Sequence, residues 1–368
     1  MSTKQKSVRE PLIHITKRDG VPMWTGIAIR AAAIVLSIVV CALLVVLITG
    51  ADPVEFFSAV IKGSFGSKRK MWMAGQEVAM LLCIALAVTP AFKMRYWNLG
   101  AEGQVLIGGL AAAACMIYVG NALPTTLLLI VMFVASLLAG AVWAVIPAIF
   151  KAKWNTNESL FTLMMNYVAM QLVSFFIILW ENPKGSGQVG IINMQSQAGW
   201  LPSIGGQKYL LNILIVAVVT VGMFIYLKYS KQGYEISVVG ESENTARYSG
   251  INVKKVIVRT VAISGAICGL AGLMLVAGTD HSISTDTAGG DGFTAIIVSW
   301  LAKFNPFMMV LASFLVIFLQ RGAGEIATSL GLNTSIADIL TGVILFFIIG
   351  CEFFINYKIN FRKRGGNA

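Results

Sequence analysis

Polar side chains set into apolar stretches are the residues of this sequence that could do chemistry. The first group lies in YWNLGAEGQVLIGG at 96–109, where Asn98, Glu102 and Gln104 stand among Gly100, Gly103, Gly108 and Gly109. Polar groups at membrane depth are costly. This group therefore marks either a tight turn near the interface or an unwound corner facing a central cavity. The second group, NTNESLFTLMMNYVAMQ at 155–171, puts Thr162 and Asn166 four residues apart, on one helical face. Interhelical hydrogen bonding and contact with a passing solute both fit that pair. Amides donate and accept, which suits a neutral polar solute with hydroxyl groups or ring nitrogens. The third group, TDHSISTDTAGGDGFTAIIVSWLAKFNP at 279–306, holds Asp280, Asp286 and Asp291 and, seven residues apart, Phe293 and Trp300. The two rings share nearly one face. They either pack and anchor at the interface or, facing a pore, stack on a planar base or sugar.

None of this is catalytic machinery. His14 lies in a polar tail, and His281 has no second ligand at metal spacing, so neither a metal nor a cofactor is expected. The phosphate-binding pattern GxxxxGK[ST] is absent, and its nearest approach, GSFGSKRK at 63–70, lacks the spacing. A chain of this kind does not hydrolyse ATP by the P-loop route, and any ATP drive needs another subunit. Cys41, Cys83, Cys115, Cys268 and Cys351 are scattered singly and read as small packing residues.

The elements that position these groups must be membrane helices. Of the 368 residues, 57% are hydrophobic and 12% charged, where soluble domains carry about 25% charged residues. Apolar runs lie at about 28–50, 74–93, 102–119, 123–150, 159–180, 209–227, 256–277, 292–302, 304–320 and 336–357. A spanning helix needs about 20 residues. The eighth run is too short, a half-helix or re-entrant piece. The fold class is all-α polytopic, a bundle of about ten transmembrane helices. Placing the N-terminus inside puts 21 of the 28 Lys and Arg residues in cytoplasmic segments, so both termini are expected in the cytoplasm. Lys62, Lys68, Arg69 and Lys70 dissent, unless 51–73 is partly re-entrant. The net charge of +11 sits in short inter-helix segments, which argues for orientation in a membrane and against nucleic-acid binding. No cleavable signal peptide is expected, because no basic n-region precedes a short apolar core.

The expected organisation is a cytoplasmic tail at 1–27, a transmembrane domain at 28–357 and a basic cytoplasmic tail at 358–368. Within the domain, the outer segment 181–208 is a solvated loop or a docking surface for an external protein. In the inner segment 228–255, Ser242 is placed to cap a short helix and Gly250 to end it in the left-handed conformation. That segment is either a connector or a helix that docks into another protein; its length favours docking. The GxxxG at Gly265–Gly269, extended by Gly272, signals close helix packing.

The runs NLGAEGQVLIGGLAAA, NESLFTLMMNY, GYEISVVGESENTARYSGINVKK and SGAICGLAGL resemble the permeases of ABC importers of the branched-chain amino acid, ribose and nucleoside type. The pairing of N-x-GAEGQ with NE-x₅-M-x-NY looks most like the nucleoside permeases that work with a basic-membrane-protein lipoprotein. The resemblance runs from about residue 70 to 325 and implies a multi-pass protein of the bacterial cell membrane. Its implied partners are an ABC ATPase, a second permease subunit, an external substrate-binding lipoprotein and membrane lipid. By the same resemblance, GESENTARYSGI is the coupling segment, with Glu241, Ala246, Arg247, Gly250 and Ile251 in contact with the ATPase. The substrate path would be lined by Asn98, Glu102, Gln104, Thr162, Asn166, Phe293 and Trp300. IIVSWLAKFNP at 296–306 departs from the small-residue run of nucleoside permeases, which leaves pocket size open. Nucleosides lead, followed by simple sugars and branched-chain amino acids. From a different class, an ion-coupled secondary transporter would use Glu102 or Asp338 as a lone intramembrane carboxylate.

Overall fold

Lipid offers no partners for backbone N–H and C=O groups, so each apolar run has to close its hydrogen bonds within itself as a helix. The computed structural model describes residues 13–18, 22–49, 53–331 and 333–361. In chain order the helices are α1 (Met23–Thr49), α2 (Pro53–Phe65), α3 (Lys68–Lys93), α4 (Ala101–Val119), α5 (Thr125–Trp154), α6 (Glu158–Trp180) and α7 (Leu210–Tyr229). They continue as α8 (Lys231–Glu241), α9 (Glu243–Tyr248), α10 (Val253–Leu275, prolonged by a π-turn at Val276–Asp280), α11 (Asp291–Leu301), α12 (Pro306–Ser329) and α13 (Thr334–Asn356). Among the described residues, nine helices are long and apolar enough to cross a membrane, and α11 is a shorter apolar one. The protein is an all-α polytopic membrane protein. The chain divides into two units: Ser64–Phe318, and the described residues up to Gly63 together with those from Leu319 onward.

In the larger unit α10 lies against α4 and α5, held close by a ridge of glycines. A Cβ on Gly269 would stand 2.1 Å from the Ser136 carbonyl oxygen, and one on Gly272 would stand 2.1 Å from that of Val105. The GxxxG ridge is thus a packing device. The loops gather at two opposite ends. At one end, Asn193 Nδ2 donates to the Met116 carbonyl at 2.8 Å, the Ile192 N–H donates to the His281 carbonyl at 2.8 Å, and Trp200 stacks on His281 with centroids 3.8 Å apart. Segment 181–209 is therefore a tied-down structure. At the other end, α8 and α9 cover the exits of α3, α5 and α10 through a cluster including Met94, Ala148, Ile236, Val239, Ala246 and Val253.

Eleven residues make α11 roughly 16 Å long, about half a hydrocarbon core. It does not turn back. The chain leaves the 181–209 end at His281, and Phe304, Asn305 and Pro306 line a cavity with Lys93 and Gly233 at the α8 end. The short segment is a half-helix that completes a traverse.

In the smaller unit, α1 packs on α13, with Arg30 Nε donating to Glu352 at 2.9 Å. Strand β1 (Ile13–Lys17) pairs antiparallel with β2 (Tyr357–Phe361), from Ile13 opposite Phe361 to Lys17 opposite Tyr357. Within the segment 1–27, residues 13–17 form a strand and α1 begins at Met23. Alternating β-branched and polar residues in IHITK and YKINF suit a two-stranded ribbon. The pairing sets residues 13–17 beside residues 357–361. The basic run is also reorganised. Ser67 Oγ accepts from the Lys70 N–H at 3.2 Å, so Lys68, Arg69 and Lys70 open α3, and Lys62 closes α2.

Candidate substrate path and coupling helix

Between α3 and α4 the chain leaves helical structure at 96–100, with Tyr96, Asn98 and Gly100 buried. Such a run needs partners for its backbone groups, and the polar side chains supply them. Asn98 Oδ1 accepts from the Gly100 N–H at 3.1 Å and from Gln104 Nε2 at 3.0 Å. Its Nδ2 donates to Ser264 Oγ on α10 at 3.2 Å. Asn166, from α6, spans the corner: Nδ2 donates to the Leu99 carbonyl at 2.8 Å and Oδ1 accepts from the Gly103 N–H at 2.9 Å. Thr162, one turn earlier, accepts from the Leu99 N–H at 3.1 Å and donates to the Glu158 carbonyl at 2.7 Å. The phenol of Tyr96 is pushed above its ordinary value, first by burial and then by the Glu158 carboxylate.

Glu102 ties this corner to the half-helix. Its two carboxylate oxygens accept from the Gly290 and Gly292 N–H groups, each at 2.8 Å, where α11 begins. A carboxylate there meets the free amides and the positive end of the helix dipole. Nearer the far end, Thr89 Oγ1 and Ser299 Oγ lie 2.9 Å apart, pinning α11 to α3. Glu102 thus stands at the start of α11 while Trp97 stacks on Trp300 near its end, at 5.8 Å and 22°. The non-helical run at 96–100 lies alongside the half-helix.

The seven path residues of the sequence reading therefore separate into two kinds. Asn98, Glu102, Gln104, Thr162 and Asn166 are buried and hydrogen-bonded within the protein, forming a frame. Phe293 and Trp300 are 42% and 45% exposed. Trp97, which the sequence reading passed over, is 46% exposed and completes an aromatic surface with Phe92 edge-on at 5.7 Å and Phe304 against Trp300 at 5.2 Å. Its place beside Asn98 was a signal. The partners Ser264, Gly290 and Gly292 lie too far along the chain to be paired by pattern. The frame offers no acid–base pair for chemistry; the arrangement can bind and guide.

The second region is α8–α9. Ser242 Oγ accepts from the Thr245 N–H at 3.3 Å and opens α9 as expected. Gly250 at φ +76° ends it: its N–H donates to Arg247 and that of Ile251 to Ala246, at 3.0 and 2.9 Å. This double bond is the Schellman arrangement, which favours glycine. Ala246 is fully buried and Ile251 packs on the same cluster, so these two anchor the helix from inside. Glu241, Arg247 and Gly250 are exposed, Arg247 pairs with Glu243 at 3.3 Å, and Tyr248 is 94% exposed.

Residues 75–349 match the family described as branched-chain amino acid transport system / permease component. The chain belongs to this permease family. Its relatives include a glucose ABC transporter permease of Haloferax volcanii, 27% identical over 97% of this chain and 96% of the relative. A guanosine ABC transporter permease of Bacillus subtilis is 29% identical over 88% and 93%. A nucleoside ABC transporter permease of Lactococcus lactis is 26% identical over 83% and 86%. The permease is a multi-pass protein of the cell membrane and a transporter component, of a family that works with an ATPase and a solute-binding protein.

Proposed function

We propose that this permease carries nucleosides into the cell. The observation that supports this reading is the aromatic surface of Trp97, Trp300 and Phe293, half-exposed on and beside a half-helix held by polar groups. Exposed flat rings suit a planar base, since stacking contributes about 1–3 kcal/mol per base. Asn98, Glu102, Gln104, Thr162 and Asn166 hold the wall that carries the rings. A separate ABC ATPase docks on α9 and its flanks, at Glu241, Ala246, Arg247, Gly250 and Ile251, with the exposed Tyr248 beside them. An external binding lipoprotein delivers the solute at the 181–209 end, and a second permease subunit completes the path. The α8 end carries Lys93, Arg95, Lys151, Lys153, Lys228, Lys254 and Lys255 and is cytoplasmic, as are both termini.

Uptake of labelled guanosine or uridine by cells expressing the permease with its ATPase and binding lipoprotein tests the proposal, with ribose and glucose as competitors. A sugar is the second reading, favoured by the glucose permease relative and its near-complete coverage.

A further inference from the structure

A groove of about 430 Å³ opens between the end of α5 and the start of α10, away from the aromatic path. Its floor is apolar, formed by Ile149, Ala152, Val258 and Ala262, and its rim carries Lys153, Lys254 and Lys255. The close glycine contact of Gly140 with Gly265 lies away from the groove, before it on α5 and beyond it on α10. Arg259, also on the rim, is paired with Glu235 at 2.9 Å. Among the described residues no carboxylate pairs with the three lysines, and all three are exposed. Lys153 leans over the Trp154 ring at 5.8 Å, and that ring is 63% exposed, as interfacial tryptophans are.

We infer that this groove binds one anionic phospholipid, its phosphate on Lys153, Lys254 and Lys255 and an acyl chain on the apolar floor. Three cations without a carboxylate partner attract a negative headgroup. The floor residues lie on α5 and α10, two helices long and apolar enough to cross the membrane, so a hydrocarbon chain is an apolar partner at hand. A water-borne protein would meet α9 instead. This inference stands apart from the choice of solute.

Native mass spectrometry of the full-length permease, released from nanodiscs of phosphatidylcholine with a minority of phosphatidylglycerol, tests it. One retained phosphatidylglycerol is expected. Replacing Lys153, Lys254 and Lys255 together by Gln should lower its retention by at least tenfold, since each interfacial lysine contributes about fivefold. Replacing all three by Arg should keep it. Val258→Trp fills the floor and should expel the lipid with every lysine in place. Equal retention by the Gln variant, or equal retention of phosphatidylcholine by the unaltered protein, overturns the inference. So does a Gln variant that keeps the lipid but no longer co-purifies with its ATPase, which would make the lysines a protein-docking surface.

Discussion

The 96–104 corner and the α9 helix both come from short polar motifs, yet the protein uses them in opposite ways. In the corner the side chains point inward and bond to the chain's own backbone: Asn166 holds Leu99 and Gly103, and Glu102 holds Gly290 and Gly292. In α9 nearly everything points outward, and one buried alanine with a glycine-ended turn fixes the helix. Polar groups buried in an apolar setting have to be satisfied, so they define shape. Polar groups left in water are free to meet a partner. The corner fixes the course of its own backbone, and α9 leaves its polar side chains exposed.

Breaking the corner should have the largest effect on the protein itself. Asn166→Leu leaves the Leu99 carbonyl and the Gly103 N–H buried and unpaired, each costing about 1–3 kcal/mol. The expected result is a marked fall in thermal stability and in membrane abundance. Unchanged stability with lost transport would instead place the amide in contact with the solute.

Altering α9 should leave stability nearly intact and strike coupling. Gly250→Val forces a β-branched residue to φ +76°, which costs roughly 1–2 kcal/mol locally. Transport-linked ATP hydrolysis should fall severalfold while insertion stays normal. Tyr248→Ala should reduce the coupled activity less, with no change in melting; normal uptake by both variants would remove α9 from the ATPase contact.

The smallest effect belongs to the opposite end. Burial, followed by Lys208, holds the His281 imidazole below its ordinary value of 6.5. The unfolded loop then binds the proton first as pH falls, so the Trp200–His281 stack is at full strength above that value and weakens below it. Protease protection of segment 181–209 should decline on acidification below about 6.5, and His281→Phe should abolish the decline. Protection unchanged with pH in the unaltered protein would contradict this.

Much of this was readable from the chain. All ten apolar runs became helices, because lipid leaves a long apolar run few alternatives. The Ser242 and Gly250 caps were readable because capping is local. Longer-range features were not. Ile13–Lys17 pairs with residues more than 300 positions away, and nothing near IHITK names YKINF as its partner. The polarity of Asn166 and Glu102 was plain, but whether it served a solute or the backbone depended on distant partners. Trp97 had its place beside Asn98 as a signal, but its partner Trp300 was set against it only by the fold.

The central claim is that the aromatic surface on α11 serves a nucleoside path. It is tested most directly by guanosine uptake into cells carrying the permease, its ATPase and its binding lipoprotein, comparing the unaltered chain with Trp300→Ala. The account predicts uptake that uridine competes for and ribose and glucose do not, and a loss of about fivefold or more in Trp300→Ala, as expected when one stacking contact is removed. Uptake displaced by glucose or ribose alone, and indifferent to Trp300, would contradict it.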